Sequence, residues 1–236
     1  MSKLLTLLAF GLVVLTTSAT RAEDVLNEHK KALGKPETLE KVKSIRRTGE
    51  IEMTGPFSDK GTIEESAILG KKSLQKIEMA NFQSTQVWDG EKGWVSNTFA
   101  ATQELGENQV GQMKGIASIN PFVGLLAEMP QDKIVAGADA DFEGVACKTY
   151  KLNDEMTAYM GKEDHLFHGM VVKVSDPASG GEANIKVVYS DFKEHDGIKF
   201  ADKVVTNLES ANMVITMKFT KTEINPSLDD KLFAKP

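Results

Sequence analysis

From Met213 to Phe219 every second residue is large and apolar (Met213, Ile215, Met217, Phe219), with Val214, Thr216 and Lys218 between them. A period of two sorts side chains onto the two faces of an extended strand, and no helix satisfies it. The same period governs most of the chain from Ile45 onward. "RTGEIEMT" sets Gly49, Ile51 and Met53 on one face and Thr48, Glu50, Glu52 and Thr54 on the other. "TIEESAIL", "SLQKIEM", "QSTQVW" and "WVSNTF" continue it. After a break come "DKIVAG", "VACKTYKL", "TAYMG", "GMVVKVS", "ANIKVVYSDF", "IKFADKVVTNL" and "MVITMKFTKTEI". "WDGEKGW" and "EHDG" supply the Asp-Gly pairs that close hairpins. Roughly ten to twelve strands at such spacing predict a mainly β fold built on an antiparallel sheet. Such a sheet twists and curls, and its apolar face must be covered.

Two stretches can cover it. In "EDVLNEHKKALG", Val25, Leu26, His29, Ala32 and Leu33 fall on one face at helical spacing and Gly34 suits the C-terminal cap; "PETLEKVKSI" adds a short second turn. The break in the strand pattern, about residues 104–129, is the second cover. There Asn120 is a good N-cap, Pro121 fits the first helical position, and Phe122, Leu125, Leu126 and Met129 make a stripe that Pro130 ends. The helix before it is weakened by Gly106, Gly111 and Gly115, each costing about 1 kcal/mol against alanine. A loosely held helix over a curved sheet makes either a closed core or a groove with a lid.

Methionine is frequent where sheet and helices should meet: beside Met129 of the stripe stand Met53, Met79, Met113, Met213 and Met217. Its unbranched, polarisable side chain repacks readily, which suits a surface that accepts variable apolar cargo and also suits ordinary core filling. With Ile51, Trp88, Phe122, Leu125, Leu126 and Phe219, these residues are the candidate lining of an apolar cavity. Trp88 and Trp94 flank one turn, either at a cavity mouth or as a cross-strand pair.

The chain opens on Lys3, an apolar run from Leu4 to Leu15, and Thr20 and Ala22 at minus three and minus one of a cut before Glu23. That is the pattern of a cleaved secretory signal peptide over residues 1–22, the run being shorter than the roughly 20 residues a spanning helix needs. No cysteine stands at the cut, so no lipid-anchor signal accompanies it, and a soluble exported protein is expected. Residues 23–236 are long enough for one large all-β domain, and no Pro- or Ser-rich linker divides them. Cys147 is alone and alternates with apolar neighbours, so it reads as a core residue without a disulfide. Without Lys3 and Arg21, the 28 basic residues fall to 26 against 34 acidic ones, a net charge of −8. The charges are interspersed, which argues against nucleic acid as a partner.

No nucleophile, metal or nucleotide motif is present, so neither catalysis nor a cofactor is expected. His165 and His168 in "EDHLFHG" lie in a turn without a distant third ligand, and His195 in "KEHDG" has no partner nucleophile.

"VWDGEKGWV", "YSDFKEHDGIKFADKVV" and the ending "INPSLDDKLFAKP" occur here in the same order as in the outer-membrane lipoprotein-sorting carrier family, LolA-like and LolB-like. The chain resembles that family from about Ile45 to Pro236. The resemblance implies a half-barrel of about eleven antiparallel strands covered by helices on its concave face, binding the acyl chains of lipid or lipoprotein. It further implies the periplasm of a Gram-negative-type bacterium, an inner-membrane donor and an outer-membrane acceptor. In such carriers a single arginine holds the lid closed; Arg46 and Arg47 stand at the start of the first strand, where exposed strand charges would equally stand. Two functions fit: a carrier of lipids or lipoproteins, and a ligand-free envelope interaction or stress-sensor module acting through protein contacts.

Overall fold

The alternating segments form strands where the period places them. A computed structural model describes residues 22–127, 129, 134–176 and 180–236; the expected signal peptide over residues 1–22 lies almost wholly outside the described residues. The first half of the sheet is β1 (Ser44–Thr54), β2 (Asp59–Ile68), β3 (Lys72–Met79), β4 (Gln83–Trp88), β5 (Gly93–Asn97) and β6 (Ala100–Glu104). The second half is β7 (Val135–Ala136), β8 (Ala140–Phe142), β9 (Val145–Lys151), β10 (Met156–Gly161), β11 (Phe167–Ser175), β12 (Glu182–His195), β13 (Ile198–Leu208) and β14 (Met213–Ile224).

All belong to one 14-stranded sheet in the order β6-β5-β4-β3-β2-β1-β14-β13-β12-β11-β10-β9-β7, with β8 also paired to β9. Most neighbours are consecutive in sequence. The exception that joins the halves is the antiparallel pairing of β1 with β14, which brings the two ends of the sheet-forming sequence to its centre. The path ends at β6 and β7, so the sheet is open. Fourteen strands replace the expected ten to twelve and the eleven of the resemblance. The strands that periodicity misses, β6 and β8, have five and three residues, too few large apolar ones to reveal a period.

Among the described residues four α-helices accompany the sheet: α1 (Ala22–Leu33), α2 (Pro36–Leu39), α3 (Glu107–Ile116) and α4 (Pro121–Ala127). Asn120 caps α4 through its Oδ1, which accepts from the Phe122 N–H at 2.9 Å. The expected plug over about 104–129 is therefore two helices that pack on each other and cover different parts of the inner face. α3 packs on β2 to β5, closing a cluster of Trp88, Leu105, Met113 and Ala117, and Ser73 donates to the Met113 carbonyl at 2.6 Å. α4 packs with α1 over the other half, where Val25, Phe122 and Leu126 join Tyr150, Ala158, Met160 and Phe167.

Register makes Ser73, Trp88, Ile45 and Ile51 residents of one face, the helix-bearing inner face. On the outer face the C-terminal segment supplies the cover: Leu228, Leu232 and Phe233 lie against Ile68, Leu74 and Val87.

Candidate functional site: an uncovered stretch of the inner face

Between the two helix-covered halves, the middle of the inner face carries an apolar cluster made of sheet residues and one hairpin residue. Ile51, Ile63, Met79, Val204 and Phe219 are buried; Met53, Ile77, Phe82, Val187, Tyr189, Ile215 and Met217 pack on them and stay partly exposed. No described helix residue belongs to it. The rows follow from register. Gly49 lies between Ile63 and Phe219, Ile51 between Gly61 and Met217, and Met53 between Asp59 and Ile215. On the far side Val204 meets Met217 and Tyr189 meets Val204.

Glycine at two of these positions is a packing requirement. The ladder of β1 and β14 shifts register at Thr48/Gly49, and a Cβ on Gly49 would run into the Lys218 carbonyl. A Cβ on Gly61 would strike the Glu78 carbonyl. Strands that approach this closely leave the neighbouring long side chains, Met217 and Met79, to form the floor.

Toward the strand ends that hold Ile45, the next row is polar. Arg47 stands opposite Glu65 on one side and Thr222 on the other. Its Nη2 donates to the Ala201 carbonyl at 2.5 Å and lies 3.7 Å from the Asp202 carboxylate, and its guanidinium sits 3.7 Å above the Phe219 ring. Burial pulls the Arg47 pKa down, with Glu65, Asp202 and Tyr189 acting against it. Asp202 is shared further with His195 at 3.0 Å and Lys193 at 3.4 Å. Burial pushes the Tyr189 phenol well above its ordinary range, so that side chain is neutral. Arg47 thus ties β1 to β13 within the one sheet. Among the described residues its polar contacts go to β13 and not to a helix, and Arg46 pairs with Glu64 at 3.1 Å on the outer face.

The aromatic rings connect the uncovered stretch to the helices. Tyr189 lies 5.1 Å from Phe167, Phe167 stacks on Phe122 at 4.4 Å, and Phe122 meets the edge of His29 at 5.3 Å.

The residues expected to line one cavity fall into separate groups. Ile51, Met53, Met79, Met217 and Phe219 share the uncovered stretch. Trp88 and Met113 belong to the cluster under α3, and Phe122, Leu125 and Leu126 to the cluster under α4. Met213 lies half-buried at the start of β14, opposite Leu208. Trp88 and Trp94 are on opposite faces, since Trp88 pairs with Gly93 and Trp94 with Val87. The stretch also contains Ile63, Tyr189 and Val204, which alternation marks as strand residues without saying which face is inner.

The histidines do structural work. His168 pairs with Asp164 at 2.9 Å, His165 lies 3.5 Å from Glu28, and His29 is fully buried between the His165 carbonyl and Asn120. Among the described residues no group of three His, Cys, Asp or Glu is disposed to hold a metal. A depression of about 370 Å³ opens at the β1–β14 bulge, lined by Thr48, Glu50, Thr62, Glu64, Lys76, Glu78 and Thr220, polar side chains of the outer face. It is not the apolar site.

No protein-family model and no curated protein matches the sequence. Solved structures do. A LolA superfamily protein of Nitrosomonas europaea matches with a TM-score of 0.60 at 14% identity, over 92% of this chain and 99% of its own. A domain described as an outer membrane lipoprotein-sorting protein, from Vibrio parahaemolyticus, matches with 0.58 at 11% identity, over 91% and 97%. A DUF1329 family protein of Desulfovibrio piger matches with 0.60 at 8% identity, over 91% and 97%. The chain has the fold of the LolA superfamily and of outer membrane lipoprotein-sorting domains. At these identities the likeness concerns the fold.

Proposed function

We propose that this protein is an exported, non-enzymatic carrier that takes the acyl chains of a lipid or lipoprotein onto the uncovered apolar stretch of the inner face, which serves as its cleft. One observation carries the reading. An apolar sheet face as long as this must be covered, yet the described helices cover its two sides and leave Met53, Ile77, Val187, Ile215 and Met217 partly exposed in the middle. An acyl chain is the cover that chemistry offers.

The magnitudes allow capture and hand-over. Burying a methylene is worth about 0.8 kcal/mol, so a dozen give roughly 10 kcal/mol. Lost translational and side-chain freedom takes back several kcal/mol. A floor of methionines that repacks when empty reduces the net further, which suits transfer to an acceptor. The name of the Vibrio parahaemolyticus neighbour, a lipoprotein-sorting protein, supports the same reading. Under it, export delivers the protein to the periplasm, and its partners are a membrane donor and an outer-membrane acceptor.

Native mass spectrometry of the protein purified from its own cells without detergent tests this. Expected is a stoichiometric lipid or acylated peptide, identified after organic extraction. Bare protein that also refuses fluorescent fatty acid and lipid esters would leave the ligand-free interaction module in its place.

A further inference from the structure

Arg47 and Thr222 face one another in register across β1 and β14. Each buries a polar atom that bonds to nothing in the protein, the Arg47 Nε–H and the Thr222 Oγ1. Buried polar atoms in folded proteins have partners as a rule, so two adjacent exceptions ask for one. The pair forms the row next to the apolar rows of the cleft, Gly49 with Phe219 and then Ile51 with Met217. The guanidinium cannot turn aside to satisfy itself, being fixed by the Ala201 carbonyl, the Asp202 carboxylate and the Phe219 ring. The Arg47 side chain keeps 12% of its exposure, while its Nε and the Thr222 Oγ1 are themselves covered, so a ligand reaches them only when the neighbouring side chains of the row part.

We propose that Arg47 and Thr222 form the polar subsite of the cleft and bind the carbonyl oxygen of an uncharged acyl ester or amide. This rests on the reading of the cleft as an acyl-chain site and adds which lipid class it selects. The Nε–H donates to the carbonyl oxygen, and the Thr222 hydroxyl donates to the same oxygen or takes a bond from a neighbouring hydroxyl of the ligand. The charge balance excludes a free carboxylate. Glu65 already stands opposite Arg47, and Asp202 is shared among Arg47, Lys193 and His195. A fatty-acid carboxylate would bring a further negative charge into a site where each cation has its acid, and burying it there is unfavourable. The hydrocarbon then runs from Arg47 past Ile51 to Met53, about 20 Å at the rise of a strand, enough for a membrane-lipid chain.

The test is displacement of the fluorescent probe N-phenyl-1-naphthylamine from the full chain at about pH 8. Monomyristoylglycerol and myristate are compared, below their aggregation limits. The ester should bind about tenfold more tightly than the acid, the size of one hydrogen bond to a charged donor. Arg47→Lys keeps the charge and removes Nε, and Thr222→Val removes the hydroxyl at constant shape. Each should shrink the ester's advantage over the acid severalfold. Equal binding of ester and acid by the natural protein overturns the proposal alone, and so does an advantage that survives Thr222→Val and a folded Arg47→Lys. Failure of the probe and both lipids to bind overturns the acyl-site reading beneath it.

Discussion

At the scale of single residues, burial decides the chemistry more than identity does. His29 lies on the apolar face of its helix in the sequence, and in the fold it is fully buried against Phe122 with Asn120 and the His165 carbonyl at its nitrogens. Burial pulls its pKa below the ordinary 6.5; the hydrogen bonds to His165 and Asn120 and the Asp164 charge push back, and His168 adds to the lowering. The unfolded chain therefore takes up this proton first as the pH falls. The stabilising contribution is whole above about 6.5 and is lost as pH falls through that value toward the folded one. The melting temperature should drop from about pH 7 to about pH 5, and His29→Gln should flatten that drop. An unchanged slope in the variant would place the effect elsewhere. Cys147, expected in the core from its alternation, is fully buried, and burial raises its thiol pKa to about 11. It should stay unreactive to a disulfide reagent at about pH 8 until the protein unfolds; rapid labelling of the native protein would contradict this burial.

At the scale of elements, strands with a hydrophobic period were readable to within a few residues. The hairpin "YSDFKEHDGIKFADKVV" is β12 and β13 joined at Asp196-Gly197, both with positive φ (50° and 82°). What periodicity could not supply was the destination of each helix. The α3 glycines weaken a helix in any context, but only the fold shows that a Cβ on Gly111 meets nothing, whereas one on Gly124 would press on Ser118 and Gly115 where α4 packs on α3. Gly111→Ala should stabilise the protein by about 0.5–1 kcal/mol, through the unfolded chain and helix propensity. Gly124→Ala should destabilise it. Thermal melts of the two variants compare them directly, and a matching shift in both would mean that α3 and α4 do not pack as described.

At the scale of the whole molecule, the two ends of the sheet-forming sequence hold the halves together. β1 and β14 lie side by side, and the segment after β14 crosses the outer face to seat Phe233, 1% exposed, against Leu74 and Val87. Phe233→Ala should cost about 3–5 kcal/mol, the range for emptying a buried aromatic site. Chemical denaturation would show it as a lower midpoint with little change in slope. A negligible loss would mean that the C-terminal segment is ornamental to stability.

The sequence by itself determined the period-two strands, their hairpins, the caps of the helices and the likeness to lipoprotein-sorting carriers, because these depend on neighbours within a few residues. Only the tertiary structure decided which apolar residues are core and which are left partly open. Phe122 and Met113 look as suited to line a cavity as Met53 and Met217 do, but the first two sit on helices packed against the sheet and the last two on strands whose cluster contains no described helix residue. The same holds for Arg47. In sequence it is one of two adjacent strand charges, and only the register against Thr222 and Glu65 turns it inward and leaves one of its donors without a partner. Register and helix placement arise from contacts between residues far apart along the chain, and composition and period carry no record of them.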